Sequence, residues 1–326
     1  MQGVENKACF VGFDTSNYTT SVAACNSLGE VIANVKIPLA VKNGERGLRQ
    51  SDAVFLHVRN LGEIFNGFNG KIEGCERIAV GVSSRPRSVL GSYMPCFLVG
   101  DAVAKSFASA SSLPVYQFSH QDGHVMAALY SAANGDQERI ESMIKSGFAA
   151  FHVSGGTTEL LMVKPDNEDF AVDKIGGTTD LNAGQAIDRT GVAMGLRFPC
   201  GPEMERLAER NTVAVPRGRI SVKGLECCLS GLENLAVGLY KKTESPELVS
   251  AFVFEYVAGV IEKLTVNLRE MYPDIPVVYA GGVMSNGIIK SRLSDNKNVF
   301  FAKPEFSADN AAGISLLCRR RYMSRK

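Results

Sequence analysis

The sequence predicts an α/β protein built from two lobes. A chain of 326 residues is longer than a single hydrophobic core usually serves, so two compact units are expected. From residue 77 to residue 132, strand and helix patterns alternate, which is typical of a parallel α/β layer. The segments 11–25 and 151–163 share one plan of apolar strand, Thr/Ser-rich or glycine-containing turn and apolar strand, although their sequence identity is low. This shared plan predicts an internal duplication, with two hairpins facing each other across a cleft.

Composition and charge exclude several classes of protein. Hydrophobic residues make up 45% of the chain and charged residues 21%, as in ordinary globular proteins. A net charge of +1 gives no global attraction for nucleic acid, so an RNA contact would depend on a local patch. No apolar run is long enough to span a membrane, and the N-terminus lacks a signal-peptide pattern. The eight cysteines are scattered without a CxxC pair, which predicts a cytoplasmic protein in a reducing compartment.

The N-terminal lobe is expected to span residues 1–135. Its first part predicts a meander of three strands, because three apolar runs are separated by short turns. A polar stretch from Gly135 to Lys145 is the best candidate for the boundary between the lobes. Further elements predicted in this lobe are a helix from about Asp52 to Phe65, a strand at 77–84, a helix at 97–112, a strand at 113–118 and a helix after Ser119.

The C-terminal lobe is expected to span residues 146–326, and we leave open that its last helix packs back on the N-terminal lobe. Its first element is the hairpin at 151–163, and its longest helix has a wide apolar face typical of a core helix. Other predicted elements are a turn at 174–179, helices at Leu181–Met194, Leu225–Tyr240 and Glu247–Tyr272, a strand at Val277–Ala280, a helix from Ser285–Asn286, a strand at 298–304 and a final helix at 306–321.

The sequence SHQDGH holds two of the four histidines of the chain, His120 and His124. The helix-forming sequence that follows predicts one helical turn with both imidazoles on the same face. Two neutral imidazoles in this arrangement form half of a metal site. Spacing alone leaves open a purely structural alternative, in which one histidine caps the helix and the other is solvated. A metalloprotease is disfavoured because Gln121 stands where that motif requires a glutamate base.

A third metal ligand is expected at Asp309. This residue follows a predicted strand and begins the last predicted helix. One carboxylate with two imidazoles is a common ligand set for a divalent metal and leaves coordination positions open. The structural alternative is an Asp that caps the helix N-terminus, and one residue can serve both roles.

Two glycine turns predict a nucleotide site. Val277–Ala280 is followed by Gly281-Gly282 and then by a helix near Asn286, which is how α/β folds seat a nucleotide at the carboxyl end of a strand. Ser154–Thr157 forms the turn of the second hairpin, where glycine allows backbone to approach a ligand. Each turn alone is a weak signal, and the pair predicts a site for a phosphorylated ligand.

Three further positions are candidates for ligand contacts. Asp188 lies inside a predicted helix. As a ligand residue it accepts hydrogen bonds from ribose hydroxyls, and as a structural residue it is solvated or paired with Arg189. Gly201 opens the next helix, whose N-terminus favours an anion. Asp14 ends the first strand in the turn sequence Asp-Thr-Ser, for which a hydrogen-bonded Asx turn is favoured over a phosphate site.

Taken together, the segments DTSNYTTSVA, HQDGH, VSGGT, NAGQAID with PCGP, AGGVMSN and SADNAA resemble, in the same order, the tRNA threonylcarbamoyladenosine transferase family, formerly called glycoproteases. The resemblance covers nearly the whole chain and implies the two-lobed fold of actin and sugar kinases (ASKHA), with duplicated mixed-sheet lobes. It implies a transferase that moves threonylcarbamoyl from its adenylate to N6 of adenosine 37 in tRNA. The implied partners are tRNA, a non-catalytic paralogue and a small ATPase.

The same resemblance implies the ligands and the residues that bind them. One divalent metal ion, iron or zinc, would be held by His120, His124 and Asp309. No catalytic side chain is assigned. Threonylcarbamoyl-adenylate or ATP would be held by Val153, Ser154, Gly155, Gly156, Thr157, Asp188, Gly201, Gly281, Gly282 and Asn286.

Departures from the family pattern suggest a divergent paralogue. Family members carry an acidic pair in the first hairpin turn, where this chain has Tyr18 and Thr19. Thr157 replaces a histidine, and Gln185 replaces a glutamate ahead of the helical aspartate. The loop at 83–95 is longer than in the family and carries two arginines, Arg85 and Arg87. A second hypothesis is therefore a nucleotide- and metal-binding regulator or scaffold without transferase activity.

Overall fold

The computed structural model describes residues 8–16, 18–40, 48–167, 169–307 and 310–325. It confirms the predicted α/β class, because helices flank two mixed β-sheets. By its internal contacts the chain divides into two compact units. Unit 1 comprises Met1–Ser146, Lys164–Val172 and Glu305–Lys326, and unit 2 comprises Gly147–Val163 and Asp173–Pro304.

The described strands, numbered in chain order, form two sheets. Strands β3-β2-β1-β4-β5 make a five-stranded sheet, and β12-β11-β6-β7-β8-β10-β9 make a seven-stranded sheet. Their bounds are β1 Ala8–Ser16, β2 Thr19–Asn26, β3 Val31–Pro38, β4 Glu76–Arg85, β5 Val115–Ser119, β6 Phe148–Val153, β7 Thr158–Asp166, β8 Asp169–Thr178, β9 Ser221–Lys223, β10 Glu226–Cys228, β11 Val277–Ala280 and β12 Val299–Phe301.

The described helices are also numbered in chain order. A short 3-10 helix, Gly282–Ser285, follows β11. The α-helices are α1 Gln50–Lys71, α2 Phe97–Ala110, α3 His120–Ala132, α4 Gln137–Ser146, α5 Ala183–Ala193, α6 Gly201–Glu209, α7 Ser230–Thr243, α8 Pro246–Met271, α9 Gly287–Ser294, α10 Pro304–Ser307 and α11 Ala312–Met323. None of these described helices is both long enough and apolar enough to cross a membrane.

Unit 1 is built on the predicted meander, which the structure confirms. Strands β1, β2 and β3 pair antiparallel, while β4 lies parallel to β1 and β5 parallel to β4. One face of this sheet packs its apolar side chains against α1 and α2, with Phe13, Ile64 and Phe68 fully buried. Helix α11 approaches the sheet closely, because a Cβ on Gly12 would lie 2.5 Å from the backbone nitrogen of Ser315. The C-terminal helix therefore belongs to unit 1.

Two expectations about unit 1 are wrong in detail. Helix α1 is longer than predicted, because buried Phe68 continues its apolar face past the exposed polar and glycine residues that obscure the periodicity. The polar stretch expected to separate the lobes is largely helix α4 and belongs to unit 1. Ile140, Met143 and Ile144 are buried at helical spacing beneath its charged face, so the polar composition of this stretch hides an amphipathic helix.

Unit 2 surrounds helix α8, whose predicted core role is confirmed by buried Phe252, Tyr256 and Leu264. Strand β11 lies parallel to both β12 and β6, as the nucleotide-fold pattern predicted. The predicted helix start at Leu225 is wrong: β10 pairs there with the end of β8, and α7 begins at Ser230. The predicted turn at 174–179 is likewise mostly the last part of β8. Gly176, near the end of that strand, allows the backbone of Leu225 to approach closely.

Candidate functional site

The predicted histidine helix is set by a capping box. The Ser119 hydroxyl accepts a hydrogen bond from the Asp122 backbone at 3.1 Å, and the Asp122 carboxylate accepts one from the Ser119 backbone at 3.1 Å. These bonds satisfy N–H groups at the helix start and begin α3 at His120, directly after β5. His120 and His124 therefore occupy one face of one turn, as the spacing predicted.

The two imidazoles converge on one point. Their Nε2 atoms lie 2.9 Å apart, and the rings are nearly perpendicular with centroids 4.3 Å apart. The other ring nitrogen of His120, Nδ1, lies 2.8 Å from Oδ2 of Asp14, a carboxylate that is 1% exposed. The Ser83 hydroxyl donates to Oδ1 of Asp14 at 2.5 Å. His120 is thus oriented from behind by a buried, hydrogen-bonded carboxyl group.

This arrangement fits a metal. A carboxylate oxygen accepts, so Nδ1 of a neutral His120 carries the proton and Nε2 keeps its lone pair. Metal-binding histidines almost always donate their other N–H to a carboxylate or carbonyl group in this way. A metal about 2.1 Å from two nitrogens holds them about 3.0 to 3.4 Å apart, close to the observed 2.9 Å. The same distance also permits a hydrogen bond between the rings, so the third ligand decides between these two interpretations.

The predicted third ligand, Asp309, lies outside the described residues. Within the described ranges, no three His, Cys, Asp or Glu side chains are grouped so as to hold a metal. The described chain shortly after position 309 does approach the histidine helix, because a Cβ on Gly313 would overlap the carbonyl of Gly123. Gly123 immediately precedes His124, so this contact brings the start of α11 against the first turn of α3.

Asp14 is a further candidate site residue. The sequence predicts an Asx turn at this position, but Asp14 lies within β1 and its carboxyl group contacts His120 and Ser83. A usable signal existed in the sequence. Parallel strands that are neighbours end at the same edge of a sheet, so polar residues at the ends of β1, β4 and β5 are expected to meet.

The arginine-containing segment 83–95, predicted as a loop, begins with the last three residues of β4 and is attached to the histidine helix. The Ser88 hydroxyl donates to the Asp122 carboxylate at 2.8 Å, and the Arg85 guanidinium donates to the Ser88 hydroxyl at 3.4 Å. The Gln121 backbone N–H donates to the Pro86 carbonyl at 3.0 Å, which fixes the start of the loop against the first turn of α3. This arginine-containing segment is therefore a neighbour of the histidine pair within unit 1.

His57 lies in the same unit and is fully buried. Its Nδ1 atom is 2.8 Å from the Thr20 hydroxyl, and its Nε2 atom has no hydrogen-bond partner among the described residues. Burial lowers the pKa of His57 below its ordinary value of 6.5, while the nearby Asp14 opposes this shift. The neutral, buried ring agrees with the structural role that a lone helical histidine usually has.

In unit 2 the predicted Ser154–Thr157 turn lies on the start of α5. The Ser154 backbone N–H donates to the Thr157 carbonyl at 2.7 Å, which closes the turn. The Asn182 side chain donates to the Gly156 carbonyl at 3.0 Å, and the Gly184 backbone donates to the Ser154 carbonyl at 3.2 Å. These bonds hold the turn, which exposes Gly155 and Gly156 with open space beside their Cα atoms.

The two glycines after β11 have different roles. Gly281 has a φ of 101°, and a Cβ there would overlap the backbone of Val153, so this glycine is required by the close approach of the two turns. A Cβ on Gly282 would meet no atom within 4 Å. Asn286 caps α9 through its Oδ1 atom, whereas its Nδ2 atom is buried without a hydrogen-bond partner among the described residues.

Asp188 links α5 to α6. Its Oδ1 atom accepts a hydrogen bond from the Cys200 backbone at 2.7 Å. Burial raises the pKa of Asp188, and hydrogen bonds from the backbones of Cys200 and Gly201 oppose that shift. Gly201 starts α6 and has open space beside its Cα atom. The carboxyl group of Asp188 therefore has a structural task at the start of α6.

The predicted ligand residues of unit 2 form a connected set. Val153 lies against Gly281, and the turn that follows Val153 is bonded to α5. Helix α5 holds the start of α6 through Asp188, and Glu205 of α6 accepts from the Gly287 backbone at 2.6 Å. The structure thus joins all three predicted segments of unit 2, while His120 and His124 form the candidate metal site of unit 1.

Sequence comparisons agree on one family. The family model described as TsaD, tRNA N6-adenosine threonylcarbamoyltransferase, matches residues 61–316. A protein of that name from Riemerella anatipestifer is 26% identical over 333 residues, covering 97% of this chain and 93% of that protein. One from Streptococcus pyogenes serotype M5 (strain Manfredo) is 34% identical over 236 residues, covering 69% of this chain and 65% of that protein.

Comparisons with solved structures concern the fold alone. Component A of the (R)-2-hydroxyglutaryl-CoA dehydratase of Acidaminococcus fermentans has a TM-score of 0.52 at 15% identity, covering 97% of this chain and 99% of that chain. A ROK family glucokinase from Streptomyces griseus has a TM-score of 0.53 at 12% identity, covering 96% of this chain and 100% of that chain. The expected likeness to the actin and sugar-kinase fold is confirmed.

Proposed function

Because the chain belongs to the tRNA N6-adenosine threonylcarbamoyltransferase family, we propose that it transfers threonylcarbamoyl from its adenylate to N6 of adenosine 37 in tRNA. In this reaction the N6 amine forms a bond to the carbamoyl carbon. The bond from that carbon to the phosphate oxygen breaks, AMP leaves with its electron pair, and one N6 proton is released. The observation that carries the proposal is the convergence of His120 and His124, with Asp14 behind His120.

We propose that unit 2 binds the adenylate. The exposed backbone of Gly155 and Gly156 suits the phosphate, since no side chain obstructs its approach. The open space at Gly282 and the unpartnered Nδ2 atom of buried Asn286 suit the adenosine, because a buried donor without a partner is costly unless a ligand satisfies it. The carboxyl group of Asp188 is the proposed acceptor for the ribose hydroxyls.

We propose that His120, His124 and Asp309 hold one divalent metal ion, iron or zinc. Support comes from the facing Nε2 atoms, from Asp14 as the partner of His120, and from the contact of Gly313 with Gly123. When bound, such a metal supplies a Lewis acid for the carbonyl of the threonylcarbamoyl group. Asp14 would hold the proton on Nδ1 of His120 and fix the orientation of that ring. No side chain of the chain is assigned as a general base.

The second candidate is a nucleotide- and metal-binding regulator or scaffold without transferase activity. It is favoured by the neutral residues at positions where the family resemblance implies acids. Tyr18 is 44% exposed in the turn before β2, and Thr19 begins that strand. Gln185 serves in the capping box of α5 with Asn182, a task that an amide performs without charge. These residues preserve the local structure without the acidic groups.

We further propose that the protein works in the cytoplasm with tRNA and with the partner subunits that the family resemblance implies. The surface that supports a protein partner is the outer face of α1. Phe55 and Val58 lie there one turn apart, 66% and 61% exposed. Exposed apolar residues on a helix favour association with another protein surface.

The experiment is single-turnover transfer to an unmodified tRNA transcript, with the family's partner proteins supplied. Wild type is expected to form the modified nucleoside, and His124→Ala is expected to lose that activity together with its metal. The matched control is Gln121→Ala, which truncates a side chain on the same helical turn and should retain activity. Inactive wild type that still binds nucleotide would instead support the regulator.

A further inference from the structure

Unit 2 contains a cavity that shares no residue with the proposed adenylate site. Its volume is about 750 Å³, within the range of small-molecule pockets. The lining includes Arg292 and Asn296, at the carboxyl end of α9. The proposed adenylate site instead uses Asn286, at the amino end of the same helix. The two sites are therefore separated by the length of α9.

The floor of the cavity is a fixed guanidinium group. Arg292 donates to the Glu255 carboxylate at 2.8 Å and to the Glu262 carboxylate at 2.7 Å, both on α8. Between these carboxylates lies Gly259, and a Cβ there would be 3.4 to 3.7 Å from three atoms of the guanidinium group. The group therefore packs against Gly259 on the surface of α8, with its two Nη atoms nearest. Arg292 also lines the cavity and its side chain is 36% exposed, so the part of the group turned away from α8 is open to the cavity.

One wall of the cavity is aromatic. Phe252 and Tyr256 line it, and a Cβ on Gly218 would lie 2.7 Å from the Tyr256 ring, so the chain passes directly over these rings. The Tyr256 hydroxyl donates to the Arg219 carbonyl at 3.1 Å. This bond fixes the orientation of the Tyr256 side chain in the wall.

The rim of the cavity carries positive charge. Arg292 forms ion pairs with both Glu255 and Glu262, whereas Arg217 and Lys263 line the cavity, are exposed, and form no ion pair with any described residue. Three cations against two carboxylates leave one positive charge. A ligand that combines a planar aromatic group with an anion would satisfy both the floor and the rim.

We propose that this cavity binds a nucleoside monophosphate unit, with the base stacked on the Arg292 guanidinium and the phosphate at Arg217 and Lys263. Guanidinium planes stack on nucleobases, and cationic side chains bind phosphate. An aromatic side chain of a protein partner would stack on the Arg292 guanidinium group but would leave Arg217 and Lys263 without an anion to bind. The nucleoside monophosphate unit is either a free nucleotide or one nucleotide of a bound tRNA. Binding of tRNA rests on the proposed function, whereas binding of a free nucleotide does not.

The test uses the double variant Arg217→Glu with Lys263→Glu. Both side chains are exposed and unpaired within the described ranges, so the fold should persist. The matched control is Arg210→Glu with Lys241→Glu, an equal charge change at exposed positions of unit 2 outside the cavity. Equilibrium dialysis with AMP is expected to give two sites per chain for wild type and control. The rim variant should lose one site, with affinity there lowered about 100-fold, roughly tenfold for each lost phosphate contact.

Two further probes separate the possible results. Ribose 5-phosphate, which has no base, should not occupy the cavity, and equal binding of it would overturn the stacking proposal. Weaker binding of tRNA to the rim variant than to the control would identify RNA as the source, and a change with AMP alone would identify the free nucleotide.

The two nucleotide sites can fail separately. Unchanged binding of both AMP and tRNA in the rim variant would overturn the cavity proposal. The proposal would also be overturned if a peptide were found to bind in the cavity while AMP and tRNA binding stayed unchanged. Gly282→Val should remove the other AMP site and leave the cavity site intact. If Gly282→Val still binds AMP at two sites and the rim variant binds it at one, the proposed adenylate site is contradicted and the cavity site is supported.

Discussion

Replacing Asp14 with Asn tests how the histidine pair is held. The carboxyl group accepts from His120 at 2.8 Å and from Ser83 at 2.5 Å, and it is almost completely buried. An amide in its place presents either a weaker acceptor or a donor to Nδ1 of His120. A donor would move the imidazole proton to Nε2, where the metal is proposed to bind. Loss of such a partner lowers metal affinity about 10- to 100-fold.

Metal affinity of Asp14→Asn is measured by competition with a chelator of known affinity, alongside thermal unfolding. The matched control is Ser83→Ala, which removes the other hydrogen bond of the carboxyl group but keeps its contact with His120. We expect a much smaller loss of metal affinity in the control. Wild-type affinity in Asp14→Asn would refute the proposed role of Asp14, and equal losses in the two variants would show that the effect is not specific to His120.

Three other predictions follow from described residues. Gly282→Val should weaken binding of an adenylate analogue while leaving the fold intact, whereas Gly281→Val should destabilise the fold because of its φ of 101° and its contact with a neighbouring turn; calorimetry and thermal unfolding distinguish these effects. Burial lowers the pKa of His57 in the folded chain below its ordinary value of 6.5. As pH falls below 6.5, His57 is therefore protonated in the unfolded chain before it is protonated in the folded chain, and the folded state loses stability. Denaturant unfolding at about pH 7.5 and about pH 5.5 should show a larger loss for wild type than for His57→Gln, and equal losses would contradict this origin. Tyr18→Asp with Thr19→Glu should raise single-turnover transfer, because one well-placed electrostatic contact is worth about 100- to 1,000-fold in turnover; an unchanged rate would show that acids are not needed there.

The elements that could be predicted are those whose residues carry a local signal. Helix α3 was predicted because a helix-forming run follows the two histidines, and β11 because an apolar run leads into two glycines. Strand β10 could not be predicted: its three residues have no periodicity of their own, and the strand exists because β8 and β9 pair with it. Helix α4 was missed because its three buried residues are hidden among charges.

The residues of the candidate site also differ in whether a local sequence pattern predicts their role. Histidines four residues apart on a helix can be placed together from spacing alone, and the structure does bring His120 and His124 together. The role of Asp14 depends on a partner 106 positions away in the sequence, which no local pattern reveals. Gly281 illustrates a different limit. Its sequence context predicted ligand contact, while the structure gives it a packing task against Val153 and leaves the open position to Gly282.

The measurement that tests the account most directly is complementation of cells that lack the family's transferase, with the modified nucleoside of tRNA quantified by mass spectrometry. We predict that the wild-type chain restores threonylcarbamoyladenosine and that His124→Ala, expressed to the same level, does not. Absence of the modified nucleoside in cells that contain folded wild-type protein and the partner subunits would contradict the proposed transferase activity.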